Sequence, residues 1–142
     1  MLGRLAKWLR VLGYDTLYQP FYKQGVIGAS VGEGRKLLSR HRFTVTRYSN
    51  SMLICSDHVT DQLYEMKTAG TITSERSKWF SRCLRCNIPL QETEGTDARE
   101  NVPEYVFYQS ASGIRFCPSC GRFFWPGSHR DRMVGQLEKW GL

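Results

Sequence analysis

The motif Cys-Leu-Arg-Cys at residues 83–86 and the motif Cys-Pro-Ser-Cys at residues 117–120 decide how the second part of this chain folds. Each pair of cysteines can turn its two sulfurs toward one point, and two such pairs complete the tetrahedron of thiolates that Zn²⁺ favours. Asn87 and Gly121 directly follow the two motifs and suit tight turns whose backbone N–H groups point at the sulfurs. The spacing predicts a zinc site with four ligands, namely Cys83, Cys86, Cys117 and Cys120.

Other interpretations of the four cysteines stay open at this point. The cysteines could form two disulfides or remain unrelated free thiols, and a four-cysteine site does not by itself exclude iron. A closed zinc site of this kind has no free position for water or substrate, so its expected role is structural. The arm between the two pairs is longer than the commonest spacing, which predicts strands or a loop within it.

The composition indicates a folded, basic protein. The chain has 142 residues, which suits one domain or a small domain with a zinc module, and 41% of them are hydrophobic. The formal net charge is +7, and residues 1–80 carry 12 Lys and Arg against 6 Asp and Glu, whereas residues 81–142 carry 8 against 7. This balance favours a polyanion such as RNA or DNA, contacted mainly by the first part of the chain.

The fifth cysteine and the apolar pattern bear on the cellular compartment. Cys55 lies in an apolar run, which predicts a buried thiol, and free thiols together with zinc fit a reducing environment. Apolar runs do not approach the length of a membrane span, and the apolar residues near the N-terminus are periodic, unlike those of a signal peptide. We therefore expect a cytoplasmic protein that does not bind membranes.

The chain begins with a predicted helix that has an apolar face and a basic face. Its apolar residues recur at helical spacing and are Leu2, Leu5, Ala6, Leu9 and Leu12. Its basic residues fall three apart and are Arg4, Lys7 and Arg10. Gly13 is suited to end the helix. The basic face could contact phosphates or simply face solvent.

The remaining pattern predicts an α/β fold with a boundary between residues 78 and 79. Predicted strands are 14–18, 35–39, 51–55, 105–108 and 114–116. Predicted helices are 21–34, weakened by glycines, 59–69, and a last helix capped by Ser128. Residues 71–78 are predicted to be a linker and residues 91–104 an exposed loop. Arg40 and Asp57 follow two of the strands, at the ends where α/β proteins usually place their sites.

Three segments resemble the Mut-seven C-terminal RNase domain family. They are MLGRLAKWLRVLGYDTLY at residues 1–18, SRCLRCNIPL at 81–90 and FCPSCGRFFWPGSH at 116–129. The resemblance implies a PIN-like ribonuclease domain, with a Rossmann-like three-layer α/β fold, over residues 1–78. It implies a four-cysteine zinc ribbon with a C-terminal helix over residues 79–142. The implied activity is phosphodiester hydrolysis by acidic residues and a divalent cation.

The residues that match the implied active site are Asp15 and Asp57, which would hold Mg²⁺ or Mn²⁺ through carboxylate oxygens. Both aspartates also have a structural interpretation, since Asp15 suits a turn and Asp57 suits the N-cap of the helix that begins at Val59. If RNA binds, its phosphates are expected to meet a set of basic residues. These are Arg4, Lys7, Arg10, Arg40 and Arg42.

The sequence also departs from the family pattern at two acidic positions. Family members begin with a strand carrying an Asp just before the segment that matches residues 1–3, and they tend to have Thr-Arg-Asp where this chain has Ser-Arg-His at 39–41. We therefore expect a PIN-like domain without its first strand, and a natural start upstream of Met1. The reduced acidic set leaves two main hypotheses, a metal-dependent ribonuclease with impaired catalysis and a non-catalytic RNA-binding module. An adaptor that docks a protein through Trp125 and the last helix is a third.

Overall fold

A computed structural model describes residues 2–93 and 95–142, which form a mixed α/β protein with small sheets. Its helices are α1 (Gly3–Val11), α2 (Val26–Gly32), α3 (Arg42–Thr46), α4 (Val59–Thr68), α5 (Gly95–Asn101), α6 (Glu104–Ser110) and α7 (Ser128–Lys139). Its strands are β1 (Leu37–Ser39), β2 (Ser51–Leu53), β3 (Gln91–Glu92), β4 (Arg115–Phe116) and β5 (Phe123–Phe124). Two short 3₁₀ helices are Arg76–Lys78 and Ala111–Gly113.

The chain divides into two compact units. The first unit runs from the start of the chain to Trp8 and resumes over Leu17–Thr73, and the second unit contains Leu9–Thr16 and Ser74–Leu142. The functional division between residues 78 and 79 stays a prediction. Within the described part of the chain, no helix combines the length and the apolar character needed to cross a membrane.

The first unit contains a parallel pair of strands joined by a short helix. β1 and β2 pair in the register Leu38 opposite Met52, and α3 lies in the connection between them and packs on both. Both strands are three residues long and half-buried, so they are shorter and less buried than their apolar runs predict. The parallel pairing brings the C-terminal ends of β1 and β2 to the same edge.

Helices α1 and α4 agree with their sequence patterns. α1 buries the apolar residues Leu5, Ala6 and Leu9, Leu12 is buried directly after it, and α4 buries Leu63 and Met66. Gly13 closes α1, because its N–H donates to the carbonyl of Arg10 and the Tyr14 N–H donates to that of Leu9, the paired bonds of a Schellman motif. The helix within 21–34 is also present, as α2, but only over Val26–Gly32.

The second unit contains a small antiparallel sheet in the order β3-β4-β5. β4 confirms the strand predicted at 114–116, whereas residues 105–108 are not a strand but part of α6. The exposed loop predicted at 91–104 is also wrong, because half of it is α5. The physical reason is a set of buried apolar residues four positions apart, with Ala98 in α5, Val106 in α6 and Val102 in the short connection between the two helices. Ile114 completes this cluster, and Phe107, Phe123 and Trp125 pack against it.

Four smaller predictions are also corrected. Residues 14–18 are extended but join no strand. Cys55 is exposed, because the chain turns outward after the buried Ile54. α7 begins at Ser128 and places Gly127 at its cap position without a side-chain cap bond. His58, not Asp57, occupies the cap position of α4, because Asp57 is one residue farther from the helix and pairs with Arg40 instead.

Candidate functional site

Two turns of the same kind present the four cysteines in the second unit. The Asn87 N–H donates to the Cys83 carbonyl oxygen at 2.8 Å, and the Gly121 N–H donates to the Cys117 carbonyl oxygen at 2.8 Å. Asn87 and Gly121 have φ values of 63° and 71°, in the left-handed region that Gly and Asn tolerate best. The Cys86 N–H points at the Cys83 sulfur, with a nitrogen–sulfur distance of 3.4 Å. The predicted pair of tight turns is therefore confirmed.

The four sulfurs form a compact cluster that could hold a metal ion such as zinc. All four Sγ atoms lie within 4.8 Å of one another. A tetrahedral zinc site with zinc–sulfur bonds of about 2.3 Å has sulfur–sulfur edges of about 3.8 Å. The Cys83 and Cys120 sulfurs are 3.8 Å apart, which fits that edge. The alternative of two disulfides is wrong, because all the cysteines are free.

The surroundings of the cluster act differently on the individual thiols. Cys83 and Cys117 are fully buried, whereas Cys86 and Cys120 are half-buried. Burial raises the pKa of the Cys83 thiol to about 11. The backbone N–H of Arg122 stabilises the thiolate of Cys120 and lowers its pKa to about 7. Without a cation, the cluster therefore retains protons at neutral pH, and a bound cation must displace them.

We expect the metal affinity of the cluster to fall on acidification, and more steeply below about pH 7. The Cys83 proton must be displaced throughout the neutral range because the pKa of that thiol is about 11. The Cys120 proton must be displaced only below a pH of about 7, which adds a further proton to the competition there. Competition with a chelating dye from about pH 6 to about pH 8.5 measures this dependence. An affinity that does not change with pH would contradict the assignment of thiolate ligands.

Side chains of the first cysteine turn and of the Leu9–Thr16 segment are bonded together within the second unit. The Arg10 guanidinium donates to the carbonyl oxygens of Leu84 at 2.8 Å and Arg85 at 3.3 Å, and also to that of Thr16 at 3.0 Å. The Asn87 side chain accepts from the Thr16 N–H at 2.9 Å. Arg10 is half-buried in this arrangement. Its contact with RNA stays a prediction, but the structure gives its guanidinium three protein acceptors.

Asp15 takes part in the same network. The amide nitrogen Nδ2 of Asn87 donates to Oδ1 of Asp15 at 2.6 Å. Asn87 thus bonds both to Asp15 and to the backbone N–H of the next residue, Thr16. The turn that carries Cys83 and Cys86 therefore also orients the first of the two candidate catalytic carboxylates.

Asp57 lies in the first unit, at the edge where both parallel strands end. Arg40 follows β1, Asp57 follows β2, and the two side chains form an ion pair. The Asp57 side chain is 78% exposed and the Arg40 side chain 35% exposed. The sequence prediction that Arg40 and Asp57 each follow a strand is thus confirmed, and the structure adds that the two strands are paired. The role of the two residues in catalysis stays a prediction.

Two residues of α4 hold the loop that carries Asp57, and the sequence pattern did not single them out. The Glu65 carboxylate accepts from the N–H groups of Cys55 at 3.0 Å and Ser56 at 2.7 Å. The side chain of Gln62, which is buried, donates to the Ser56 carbonyl oxygen at 2.9 Å. Burial acts to raise the pKa of Glu65, but the bonds from Ser56 and Cys55 and the charge of Arg40 hold it below its usual value. Glu65 therefore stays ionised beside Arg40.

The other predicted RNA contacts lie on the surface. Arg4 and Lys7 are exposed on α1, and Arg42 is exposed on α3. These three side chains are accessible to a polyanion, unlike the half-buried Arg10 on the same helix as Arg4 and Lys7. Their role in binding RNA stays a prediction.

The comparison with known families concerns nearly the whole chain. Residues 1–137 match the family model of the Mut7-C RNAse domain. The chain belongs to the Mut7-C RNAse domain family. The resemblance inferred from the three sequence segments is therefore confirmed, and the match includes both cysteine pairs, Asp15 and Asp57. No curated protein and no solved structure matches the chain.

The Mut7-C match raises the question of a catalytic cation besides the metal of the cysteine cluster. Among residues 2–93 and 95–142, the four cysteines are the one group of three or more ligating side chains placed to share a metal. Mg²⁺ often binds proteins through only one or two carboxylates together with substrate phosphates, and the exposed carboxylate of Asp57 is a donor of that type. Asp15 belongs to the other unit, so a cation shared by Asp15 and Asp57 stays a prediction.

Proposed function

We propose that this chain is a metal-dependent ribonuclease domain of the PIN-like type that carries a structural zinc ribbon. The observation that carries the proposal is the match to the Mut7-C RNAse domain over residues 1–137. The parallel pair of β1 and β2 joined by a helix is the kind of unit from which PIN-like sheets are built. The polar residues that follow both strands stand where open α/β sheets place their ligands.

The side chains at this strand edge have chemically distinct parts in the proposed reaction. Asp57 would hold Mg²⁺ or Mn²⁺, and the cation, when bound, would supply positive charge that stabilises the phosphate as water bonds to phosphorus and the bond to the leaving oxygen breaks. The Arg40 guanidinium can donate two parallel hydrogen bonds to phosphate oxygens and so orient the RNA backbone. Gln62 and Glu65 hold the Cys55–Asp57 backbone and thereby limit the movement of the Asp57 carboxylate.

The proposal also names the partner of the basic surface, the metal of the cysteine cluster and the cellular compartment. RNA is the proposed partner because the exposed cations Arg4, Lys7 and Arg42 lie in the basic part of the chain. Zn²⁺ is the proposed occupant of the four-cysteine cluster, where it would stabilise the second unit without catalysing a reaction. The exposed thiol of Cys55 suits the reducing cytoplasm, which is the proposed compartment.

A second candidate function is RNA binding without cleavage. The observation that favours it is that both candidate carboxylates already have protein partners. Asp57 is paired with Arg40, and Asp15 accepts from Asn87. An ion pair lowers the net negative charge that a divalent cation requires, so catalysis demands that Arg40 turn from Asp57 to the RNA phosphate.

The decisive experiment is cleavage of a short end-labelled RNA by the full chain with Mn²⁺ or Mg²⁺ and then with EDTA. We expect metal-dependent cleavage that Asp57→Asn slows by roughly 100-fold, the scale of losing one group that stabilises charge in the transition state. Asp61→Asn is the matched control, because Asp61 is an exposed carboxylate in the first turn of α4 and should leave the rate unchanged. Binding of RNA without cleavage would establish the second candidate, and the absence of both would contradict both candidates.

A further inference from the structure

Helix α3 presents an aromatic ring to solvent beside a guanidinium group. The Phe43 side chain is 76% exposed, and the Cζ atom of Arg47 lies 5.9 Å from the centre of its ring. An isolated exposed aromatic residue is ordinary on a protein surface. The nearby cation distinguishes Phe43 from an ordinary exposed residue, because an Arg beside a ring can add a cation–π contribution to the stacking of a nucleic-acid base.

The segment around Phe43 is strongly basic. Residues 40–47 contain three arginines and one histidine but no Asp or Glu. The basic side chains of this segment are all exposed, namely Arg40, His41, Arg42 and Arg47. The neighbouring carboxylate of Asp57 pairs with Arg40, which leaves Arg42 and Arg47 on either side of the ring in sequence. We refer to residues 40–47 as the aromatic–basic surface.

The backbone beneath Phe43 is fixed to the strands of the first unit. The Ser51 hydroxyl donates to the Val45 carbonyl oxygen at 2.8 Å, which ties α3 to the start of β2. The Thr46 hydroxyl donates to the Phe43 carbonyl oxygen at 2.9 Å. Because these two bonds hold the backbone, the main chain beneath the ring has little conformational freedom left to lose on binding.

We propose that Phe43 is a stacking platform for one base of single-stranded RNA, with Arg42 and Arg47 contacting the phosphates beside that base. The inference rests on the proposed function and names the class of substrate. Every base has a flat face that can stack on an aromatic ring, so such a platform tolerates any sequence. In a duplex, the base faces are covered by their neighbours, so the same platform discriminates against double-stranded RNA.

The surface also lies beside the proposed site of cleavage in the first unit. Arg40 belongs both to the aromatic–basic surface and to the ion pair with Asp57. A strand whose base stacks on Phe43 would therefore bring a nearby phosphate to Arg40. The position of Arg40 in both places favours single-stranded RNA, because a flexible RNA chain can bend from the Phe43 ring to the ends of β1 and β2.

The test measures binding of a fluorescent single-stranded RNA of about 12 nucleotides, and of its duplex, to the full chain in EDTA. That length lies within the span of about 4–16 nucleotides that OB-fold proteins, which also bind single strands by stacking, cover. We expect the single strand to bind more tightly and Phe43→Ala to weaken it about tenfold. Phe43→Tyr keeps the ring and should keep most of the affinity. Phe21→Ala is the matched control, because Phe21 is 79% exposed in the same unit but lies outside the aromatic–basic surface.

A second measurement locates the base directly. RNA containing 4-thiouridine is crosslinked to the chain by light and the protein is digested with trypsin, which cuts after Arg42 and Arg47 and so releases residues 43–47 as one peptide. We expect the crosslink on that peptide. If the wild-type chain binds RNA while Phe43→Ala binds equally well and the crosslink lies elsewhere, the inference is overturned and the proposed function stands. If the wild-type chain does not bind RNA, the proposed function fails as well.

Discussion

Replacement of Cys117 by serine is expected to abolish metal binding and to unfold most of the second unit. Cys117 is fully buried at the start of its turn, and its sulfur is one of the four that lie within 4.8 Å of one another. Binding of zinc to four-cysteine and related sites contributes roughly 10–16 kcal/mol in small peptides, more than the whole folding free energy of many domains. Loss of one ligand therefore removes a contribution that the unit's own small apolar cluster does not replace.

The matched control is Cys55→Ser. Cys55 is an exposed thiol in the first unit, so its replacement should change neither metal content nor stability. Metal content by elemental analysis and the dispersion of the amide NMR spectrum report the two effects separately. Retention of a folded second unit after loss of the metal would contradict a structural role for the cluster.

Replacement of Gly13 by alanine is expected to destabilise the second unit by about 3 kcal/mol or more, from left-handed strain together with a steric clash. Gly13 has φ +94°, and a β-carbon built on it would lie 2.5 Å from the Lys78 carbonyl oxygen. That oxygen belongs to the backbone, so the conflict cannot be relieved by rotation of a side chain. The clash would also push apart the Leu9–Thr16 segment and the chain that leads into the first cysteine turn.

Gly34→Ala separates the clash from the backbone strain. Gly34 has φ +92°, but a β-carbon there would meet no atom within 4 Å. Its replacement should cost about 1–2 kcal/mol, the usual penalty of the left-handed conformation alone. Thermal and urea unfolding of both variants measure the difference, and equal destabilisation would show that the close contact at Gly13 has no energetic weight.

The cluster of cysteines and the longest helices were predictable from the sequence because their signals are local. Two residues between paired cysteines constrain the turn directly, and the spacing of Leu63 and Met66 marks the buried face of α4. α5 and α6 were missed because their buried residues are small and few and stand among acidic and polar neighbours. Ala98 and Val106 carry little of the apolar signal from which a helix is inferred.

The bonds around the first cysteine turn could not be predicted for a different reason. Arg10 donates to a carbonyl oxygen 74 residues away in the chain, and Asn87 bonds to Asp15 across 72 residues. Such contacts leave no periodic or local pattern, so a basic residue on an amphipathic helix looks the same whether it faces solvent or another turn. For the same reason, the sequence did not predict that Gln62 and Glu65 bond to the loop that carries Asp57.

The bonds of Arg10 and Asn87 connect the cysteine cluster to the segment that carries Asp15. The turn that carries Cys83 and Cys86 supplies the carbonyl acceptors for Arg10 and is followed by Asn87, which holds Asp15. A metal that fixes this turn therefore also fixes the segment that carries one of the two candidate carboxylates. The cysteine cluster and Asp15, one of the two proposed catalytic residues, are thus connected within the second unit.

X-ray absorption at the zinc edge, together with the metal content of the purified chain, tests the central claim most directly. We expect one zinc ion per chain, surrounded by four sulfur atoms at about 2.3 Å. A chain that folds without metal, or a zinc ion with nitrogen or oxygen ligands in place of sulfur, would contradict the claim that the second unit is organised by its four cysteines.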